Sequence, residues 1–232
     1  MSSDTASRAS AVQRRREREQ NILRATRELF DAKGVRDAQI EDIAKAVGVN
    51  RTIIYRHFAS KDELFGFTLV GYLTELDGEL AAADPGSPAA DGEPADPTAR
   101  LQALAEVLVS FCLRYPAFAD CALALLRRPG PELLEELSDA ALHTLGRTLA
   151  KTMGRIAAVL REGMASGAFR DEDPDLLANL LYTQVLGSVH LARAQCIVGS
   201  APPPADVFTS VSQEQVHSAV VRAVLATAQP AG

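Results

Sequence analysis

The stretch that decides the fold spans residues 39–64 and reads QIEDIAKAVGVNRTIIYRHFASKDEL. Apolar residues recur at steps of three and four on both sides of Gly48, which predicts two short helices at 39–47 and 51–57. Glycine suits the sharp turn between them because it has no Cβ atom to resist the bend. The stretch therefore predicts a helix-turn-helix.

Helix-capping residues support these boundaries. Asn50 has the short polar side chain that is preferred at the N-cap of the helix following it. Ser60 and Glu63 form a capping box, which predicts a fourth helix running to about Ala83. Upstream, an apolar stripe over residues 14–33 predicts the first helix of a three-helix head.

The helix at 51–57 leaves long polar side chains on the face opposite its isoleucines. Arginine binds guanine through two hydrogen bonds, and threonine offers both a hydroxyl and a methyl group to a base edge. The helix N-terminus that begins near Lys61 is suited to binding a phosphate. The candidate DNA-binding residues are Gln39, Asn50, Arg51, Thr52, Tyr55, Arg56, His57 and Lys61. The alternative is a small solvated helix with ordinary surface charges.

Charge is divided unevenly along the chain. Residues 1–61 carry 13 Lys and Arg against 8 Asp and Glu, whereas residues 62–232 carry 11 against 22, and the overall charge is −6. A basic N-terminal part and an acidic remainder predict that only the N-terminal part meets a polyanion such as DNA.

The composition is that of a globular protein, with 47% hydrophobic and 23% charged residues among 232. Because no apolar run reaches about 18 residues and no signal peptide is recognisable, we expect a cytoplasmic protein with no membrane partner. Cys112, Cys121 and Cys196 are odd in number and widely spaced, which predicts buried thiols rather than disulfides or a zinc module. We expect no metal site and no cofactor.

The motifs within residues 39–64 resemble the DNA-binding domain of the TetR family of bacterial transcriptional regulators. The matching positions are Ile43-Ala44, Gly48-Val49, Tyr55-x-x-Phe58 and Ser60-Lys61-x-x-Leu64. The resemblance implies a homodimer with a three-helix DNA-binding head and a helical C-terminal body that binds an inducer. Gln39 is a departure from the family pattern, since many members have a threonine there that caps the second helix.

We expect an all-α protein of about nine helices. Residues 1–13 are predicted to form a mobile arm, residues 14–60 the helix-turn-helix DNA-binding domain, and residues 61–232 a helical ligand-binding and dimerisation domain. Residues 81–98 are rich in Ala, Pro and Gly, which predicts a flexible loop. Further helices are predicted at 98–114, about 118–126, from 131 to between 163 and 167, at 174–197 and from 213 onward. Gly34 is suited to the C-terminal cap of the first helix, and Ser212 and Gln215 form a second capping box at the start of the last one.

The last two predicted helices carry small residues, which permit close approach between helices. We expect them to form a four-helix interface with a symmetry-related copy. The candidate interface residues are Leu180, Gln184, Gly187, Leu191, Ala194, Val216, Ala219, Val220 and Ala223. The alternative is that both helices simply close the core of a single chain.

The middle of the body contains residues suited to an effector pocket, because pockets need apolar walls and few polar groups. The candidates are Tyr72, Phe111, Tyr115, Phe118, Cys121, His143, Met153 and Tyr182. No cluster of charges accompanies them in the sequence, so we expect a largely apolar ligand. The alternative for each of these residues is an ordinary place in the core.

These patterns predict a ligand-responsive DNA-binding regulator, a repressor that binds a palindromic operator as a dimer and is released by a small molecule. The alternative is a helical carrier for an apolar metabolite whose head no longer binds DNA, and Gln39 is the residue that favours it. An enzyme is not expected. Glu214 and His217 form one Glu-x-x-His motif where a di-iron bundle needs two, and no nucleophile elbow is present.

Overall fold

A computed structural model of the chain describes residues 2–84, 96–127, 137–199 and 208–230. Helices dominate these residues, and the predicted all-α class is confirmed. The helices are α1 (Ser2–Lys33), α2 (Ile40–Ala46), α3 (Arg51–His57), α4 (Lys61–Ala83), α5 (Pro97–Arg114), α6 (Pro116–Leu126), α7 (Asp139–Ser166), α8 (Pro174–Ser188), α9 (His190–Ala194) and α10 (Gln213–Ala228). Two antiparallel strands, β1 (Cys196–Val198) and β2 (Phe208–Ser210), lie between α9 and α10 in the chain. No single helix among the described residues is long and apolar enough to cross a membrane, although α5 and α6, bent by 101°, meet that test together by length and composition.

The chain divides into two compact units. The first contains the residues up to Tyr72 together with Ala124–Leu145, and the second contains Leu73–Leu123 and the residues from Gly146 onward. The helices α4, α6 and α7 therefore contribute residues to both units. The predicted domain boundary lies at the start of α4, whereas the compact units divide that helix after its third turn.

The first helix is longer than the sequence predicted. It begins at Ser2, so residues 2–13, predicted to form a mobile arm, are helical. Side-chain hydrogen bonds one turn apart support the following segment: Arg14 donates to Ser10 at 2.7 Å, and Gln13 donates to Glu17 at 3.0 Å. Such pairs each stabilise a helix by about 0.2–0.5 kcal/mol, even where it lacks an apolar stripe.

The helix-turn-helix has the packing that its apolar pattern predicted. Its buried residues are Ile22, Ile40, Ile43, Ala44, Ile54, Phe58 and Leu64. The predicted turn between α2 and α3 is present, because Gly48 has a φ of +69° and the amide of Val49 donates to the carbonyl of Ala44 at 2.9 Å. The predicted glycine cap of α1 is also present at Gly34, whose φ is +85°.

Glu63 joins the beginnings of two helices. Its amide donates to Ser60 Oγ at 3.0 Å, and its carboxylate accepts from the amide of Ala59 at 2.5 Å, so the predicted cap of α4 is present with its return bond shifted by one residue. The same carboxylate accepts a hydrogen bond from Ser138 Oγ, which in turn accepts from the amide of Ala141 at 3.3 Å.

The long helix predicted from Pro131 begins later. Residues 128–136 lie outside the described part of the chain, and Leu137 and Ser138 are not helical. Because Ser138 caps the first turn, α7 starts at Asp139 and ends at Ser166, close to its predicted end.

The loop predicted at residues 81–98 is shorter than expected at both ends. Residues 81–83 are the last residues of α4, and residues 97–98 are the first residues of α5. Asp96 caps α5 by accepting hydrogen bonds from the first amides of that helix. Residues 85–95 lie outside the described part of the chain.

The helix predicted at 174–197 is interrupted at Val189, and the prediction is wrong from Gln195 onward. The helix α8 ends at Ser188, before the buried Val189, and the five-residue helix α9 follows. Gln195 then adopts a left-handed φ of 52° and ends α9, after which β1 begins. The sequence analysis did not predict β1 and β2, which are three residues long each.

The last helix, α10, packs against α5 and α8 in the second unit. It starts at the predicted capping box, in which Gln215 donates its amide to Ser212 Oγ at 3.1 Å and accepts from the Ser212 amide at 2.8 Å. Its buried residues are Val216, Val220, Val221, Val224 and Ala228.

Alanine substitutions at two glycines of α7 are expected to have opposite effects on stability. A Cβ atom on Gly163 would clash with the ring of Phe169, 2.8 Å from its Cγ, and Phe169 is buried. Gly163→Ala should therefore lower the free energy of unfolding by about 1–3 kcal/mol. Gly154 has open space at the same position, so Gly154→Ala should raise it by about 0.5–1 kcal/mol. Urea denaturation measures both, and a Gly163→Ala protein as stable as the wild type would contradict the packing of Phe169.

Candidate nucleic-acid interface and effector cavity

One face of α3 is exposed along the whole helix. Asn50 caps the helix as predicted by accepting a hydrogen bond from the amide of Ile53 at 3.1 Å, and Ile54 is buried on the opposite face. The exposed residues are Arg51, Thr52, Tyr55 and Arg56. A short capped helix therefore presents two guanidinium groups, a hydroxyl and a phenol, which are groups that bind base edges and phosphates of DNA.

Arg51 has one weak partner. Its Nη1 lies 3.5 Å from the carboxylate of Glu41 on α2, and the two side chains are 70% and 65% exposed. Surface ion pairs of this kind contribute about 0–1 kcal/mol. Arg51 is therefore available to a DNA phosphate or a guanine, which accepts charge-assisted hydrogen bonds that are stronger.

His57 is placed differently from the other candidates. Its side chain is only 11% exposed, and its Nδ1 lies 3.1 Å from the carboxylate of Glu19 on α1. Burial raises the pKa of Glu19, but hydrogen bonds with His57 and Arg15 lower it by more, so this pKa lies below its ordinary value. His57 thus joins α3 to α1 and lies off the exposed face, and its contact with DNA stays a prediction.

Gln39 and Lys61 lie at the starts of α2 and α4. Gln39 is exposed at the N-cap position of α2, but its side chain makes no capping hydrogen bond. Lys61 is half-buried, with its Nζ 5.1 Å from the centre of the Phe65 ring. Contacts of either residue with phosphate stay predictions.

The second unit contains a small apolar hollow among α5, α7, α8 and α10. Its volume is about 20 Å³, which is room for about one water molecule. Its walls are Leu101, Leu104, Ala105, Leu108, Ile156, Leu181, Tyr182, Val185 and Val224. Of these residues, only Tyr182 was among the predicted pocket residues. The sequence pattern of an apolar helical stripe is the same whether its side chains line a hollow or fill a core.

Tyr182 gives this hollow a polar group. Its hydroxyl is buried and has no hydrogen-bond partner among the described residues. Burial raises the pKa of Tyr182, with a smaller contribution from Cys112, so the phenol is neutral. Leaving such a hydroxyl unpaired costs about 1–3 kcal/mol, and a polar group that enters the hollow recovers part of that cost.

Tyr182→Phe should raise the free energy of unfolding by about 1 kcal/mol, because it removes a buried hydroxyl that has no partner. Tyr72→Phe is the matched control, since the Tyr72 hydroxyl donates to Asp31 at 2.7 Å and its removal should lower stability by about 1 kcal/mol. Denaturation of the ligand-free proteins measures both changes. Equal destabilisation by the two substitutions would mean that the Tyr182 hydroxyl is paired.

The other predicted pocket residues do not line this hollow, and their place in an effector pocket stays a prediction. They are Tyr72, Phe111, Tyr115, Phe118, Cys121, His143 and Met153. Phe111 packs edge-on against Tyr115 and Phe118, with ring centroids 4.9 and 5.2 Å apart. His143 is exposed on α7. The helical phase turns these side chains toward an aromatic cluster, other core positions or solvent.

The predicted dimer residues fall into two groups. Val216 and Val220 are 4% and 5% exposed within the chain, so neither presents a surface to a second copy, and this part of the prediction is corrected. The residues that are exposed or half-buried are Leu180, Gln184, Gly187, Leu191, Ala194, Ala219 and Ala223. Leu176, which the sequence analysis did not select, is 52% exposed one turn before Leu180. An apolar stripe thus follows the outer side of α8 into α9.

Comparison with known proteins identifies the helix-turn-helix. Residues 22–66 match the family described as bacterial regulatory proteins, tetR family. These residues carry a helix-turn-helix of that family. The chain is 25% identical over 168 residues to the HTH-type transcriptional repressor NicS of Pseudomonas putida strain KT2440, covering 72% of each chain. It is also 38% identical over 79 residues to the HTH-type transcriptional regulator AcrR of Shigella flexneri, covering 33% of this chain and 37% of AcrR.

Solved structures share the fold of this chain. The ketosteroid transcriptional regulator KstR2 of Mycobacterium tuberculosis is 22% identical, with a TM-score of 0.55 and coverage of 92% of this chain and 96% of KstR2. RolR in complex with resorcinol is 17% identical, with a TM-score of 0.61 and coverage of 94% and 90%. At these identities the similarity establishes the common fold.

The family match over residues 22–66 and the two similar regulators support the predicted DNA-binding transcriptional regulator. Both curated proteins are named as regulators of transcription, and neither is named as an enzyme. Within the described ranges, no group of three or more His, Cys, Asp and Glu side chains is arranged to hold a metal ion.

Proposed function

We propose that the protein is a dimeric repressor that binds a palindromic operator through α3 and is released by a largely apolar small molecule. The observation that carries the proposal is the exposed face of α3, where Arg51 and Tyr55 stand on a helix held by the Asn50 cap and the buried Ile54. The naming of NicS as a repressor supports the direction of control.

A palindromic operator follows from a symmetric dimer. Two copies of α3 must enter major grooves about 34 Å apart, one turn of DNA, or a multiple of that spacing. The apolar stripe of Leu176, Leu180 and Leu191 is the surface that we assign to the dimer. Large exposed apolar patches on a soluble chain commonly mark such contacts.

The hollow beside Tyr182 supports an apolar effector with one hydrogen-bonding group. Its walls are apolar apart from that hydroxyl, and RolR, a protein of the same fold, carries the phenolic ligand resorcinol. A volume of about 20 Å³ is too small for such a molecule, so its walls must separate before an effector fits. Binding therefore favours a conformation different from the closed one, which is the physical requirement for a ligand-driven switch.

The preference that the effector must have for one state of the dimer is set by the populations of the DNA-competent and incompetent states. To change a dimer from 99% competent for DNA to 1%, the effector must favour the incompetent state by about 5.5 kcal/mol. We propose that α4 carries the change, because it begins beside α3 in the chain and continues into the second unit.

The second candidate is a helical carrier whose head does not bind DNA. The observation in its favour is Gln39, which leaves α2 without a side-chain cap. A carrier would bind the same apolar ligands but would retain no specific DNA fragment.

The experiment is selection of bound fragments from genomic DNA, repeated with apolar candidate effectors and at several salt concentrations. A repressor should recover fragments that share a palindrome, lose them steeply as salt rises, and release them with an effector. Recovery of no specific fragment at any salt concentration would favour the carrier and contradict the proposal.

A further inference from the structure

A polar cleft lies between α4 and α7 in the second unit, apart from the apolar hollow. Its volume is about 370 Å³, within the range of about 300–1,000 Å³ that is usual for small-molecule sites. It is lined by Thr74, Asp77, Arg147, Thr148 and Lys151. None of these residues belongs to the walls of the apolar hollow.

Asp77 is a buried carboxylate with unused hydrogen-bonding capacity. It is 4% exposed, and its Oδ2 lies 2.6 Å from Lys151 Nζ. Its Oδ1 lies 3.6 Å from a guanidinium nitrogen of Arg155, and no described residue donates a hydrogen bond to this oxygen. Buried carboxylate oxygens normally accept hydrogen bonds, so this one is suited to accept from a donor that enters the cleft.

Three cations follow one another along α7 beside this carboxylate. Arg147, Lys151 and Arg155 are spaced four residues apart, so they share one side of the helix. Lys151 and Arg155 pair with Asp77, whereas Arg147 is exposed and no described residue pairs with it. Among the lining residues, Arg147 and Lys151 against Asp77 leave the cleft at +1, and Arg155 adds a positive charge beside Asp77, although residues 62–232 as a whole are acidic.

We propose that this cleft binds a small dianionic hydroxy acid. The two carboxylates of the ligand pair with Arg147 and Lys151, and its hydroxyl donates to Asp77 Oδ1. The positive charge of the cleft favours a dianionic ligand. The unsatisfied Oδ1 of Asp77 favours a ligand that has a hydrogen-bond donor over a ligand that has none. This site goes beyond the apolar effector proposed above and does not depend on it.

The test uses L-malate and succinate, two dicarboxylates that differ in one hydroxyl group. Isothermal titration and NMR titration of the full-length protein should show that L-malate binds more tightly than succinate by about 2- to 10-fold, the usual contribution of one hydrogen bond. Inorganic phosphate at the same ionic strength should bind more weakly than either.

Variants locate the site. Arg147→Ala removes an exposed side chain, so the protein should remain folded, and it should weaken L-malate binding by about 10-fold or more. Asp77→Leu, which has a similar shape and no acceptor atom, should abolish the preference for L-malate over succinate, with circular dichroism and thermal unfolding verifying that the fold is intact. Arg161→Ala is the matched control, because Arg161 is exposed on α7 outside the cleft and should leave binding unchanged.

Three results would overturn the proposal. The first is the absence of binding by L-malate. The second is binding that Arg147→Ala and Arg161→Ala weaken equally, since this would indicate attraction to general surface charge. The third is binding of phosphate or succinate as tight as that of L-malate in the wild type.

Discussion

Replacing Arg51 with alanine is expected to reduce operator affinity by about 30-fold or more. Each bidentate contact between arginine and a base contributes about 1–3 kcal/mol, and a symmetric dimer loses the contact in both half-sites. The exposed position of Arg51 and its weak pair with Glu41 mean that the substitution removes little from the fold. The loss should therefore appear in DNA binding and not in stability.

Fluorescence anisotropy with a selected operator measures this effect, and light scattering verifies that the variant keeps the mass of the wild type. Tyr55→Ala on the same exposed face should also weaken binding, because its side chain is 47% exposed and ready for contact with DNA. Arg161→Ala removes the same charge from α7 and should leave the affinity unchanged. Unaltered affinity of Arg51→Ala would refute the assignment of α3 as the helix that binds DNA.

Replacing Leu180 with aspartate is expected to convert the dimer to monomers and, with it, to abolish operator binding at concentrations where the wild type binds. Leu180 is 46% exposed on the outer stripe of α8. In a symmetric interface the substitution buries two unpaired carboxylates, and burying an unpaired charge is strongly unfavourable. Gly187→Glu on the same helix should act in the same way.

Multi-angle light scattering after gel filtration measures the mass. Leu126→Asp is the matched control, because Leu126 is also a half-exposed leucine, at 52%, but belongs to α6 and to the first unit. This control should remain a dimer. A Leu180→Asp protein that also remains a dimer would place the interface on another surface.

The local chemistry of the sequence was sufficient to predict the head. Helix caps and glycine turns depend on residues within one turn of each other, and the predicted roles of Asn50, Gly34 and Gly48 are present in the structure. The capping box at Ser212 and Gln215 was predictable for the same reason. Short-range hydrogen bonds of this kind do not depend on the rest of the fold.

Features set by distant residues could not be predicted in this way. The start of α7 depends on Ser138, whose hydroxyl donates to Glu63, 75 residues earlier in the chain. Val216 and Val220 belonged to an apolar stripe, but only the packing of α10 on α5 and α8 determines that they face the core of the chain and not a second copy.

The apolar hollow could not be predicted from the sequence for a related reason. Its walls come from four helices that meet in space, and the aromatic residues chosen as pocket walls pack on one another instead. Tyr182 was a predicted pocket residue and lines the hollow, but that its hydroxyl is unpaired among the described residues is visible only in three dimensions.

The near closure of this hollow has a consequence for the speed of the response. Because about 20 Å³ admits no more than a water molecule, opening of the walls must precede entry of a larger effector. The observed association rate should then rise with effector concentration only until it equals the rate of opening, and the apparent affinity is reduced by the fraction of time that the hollow is closed. The delay between the arrival of an effector and the release of DNA is accordingly governed by helix motion on the microsecond-to-millisecond scale or slower, not by diffusion.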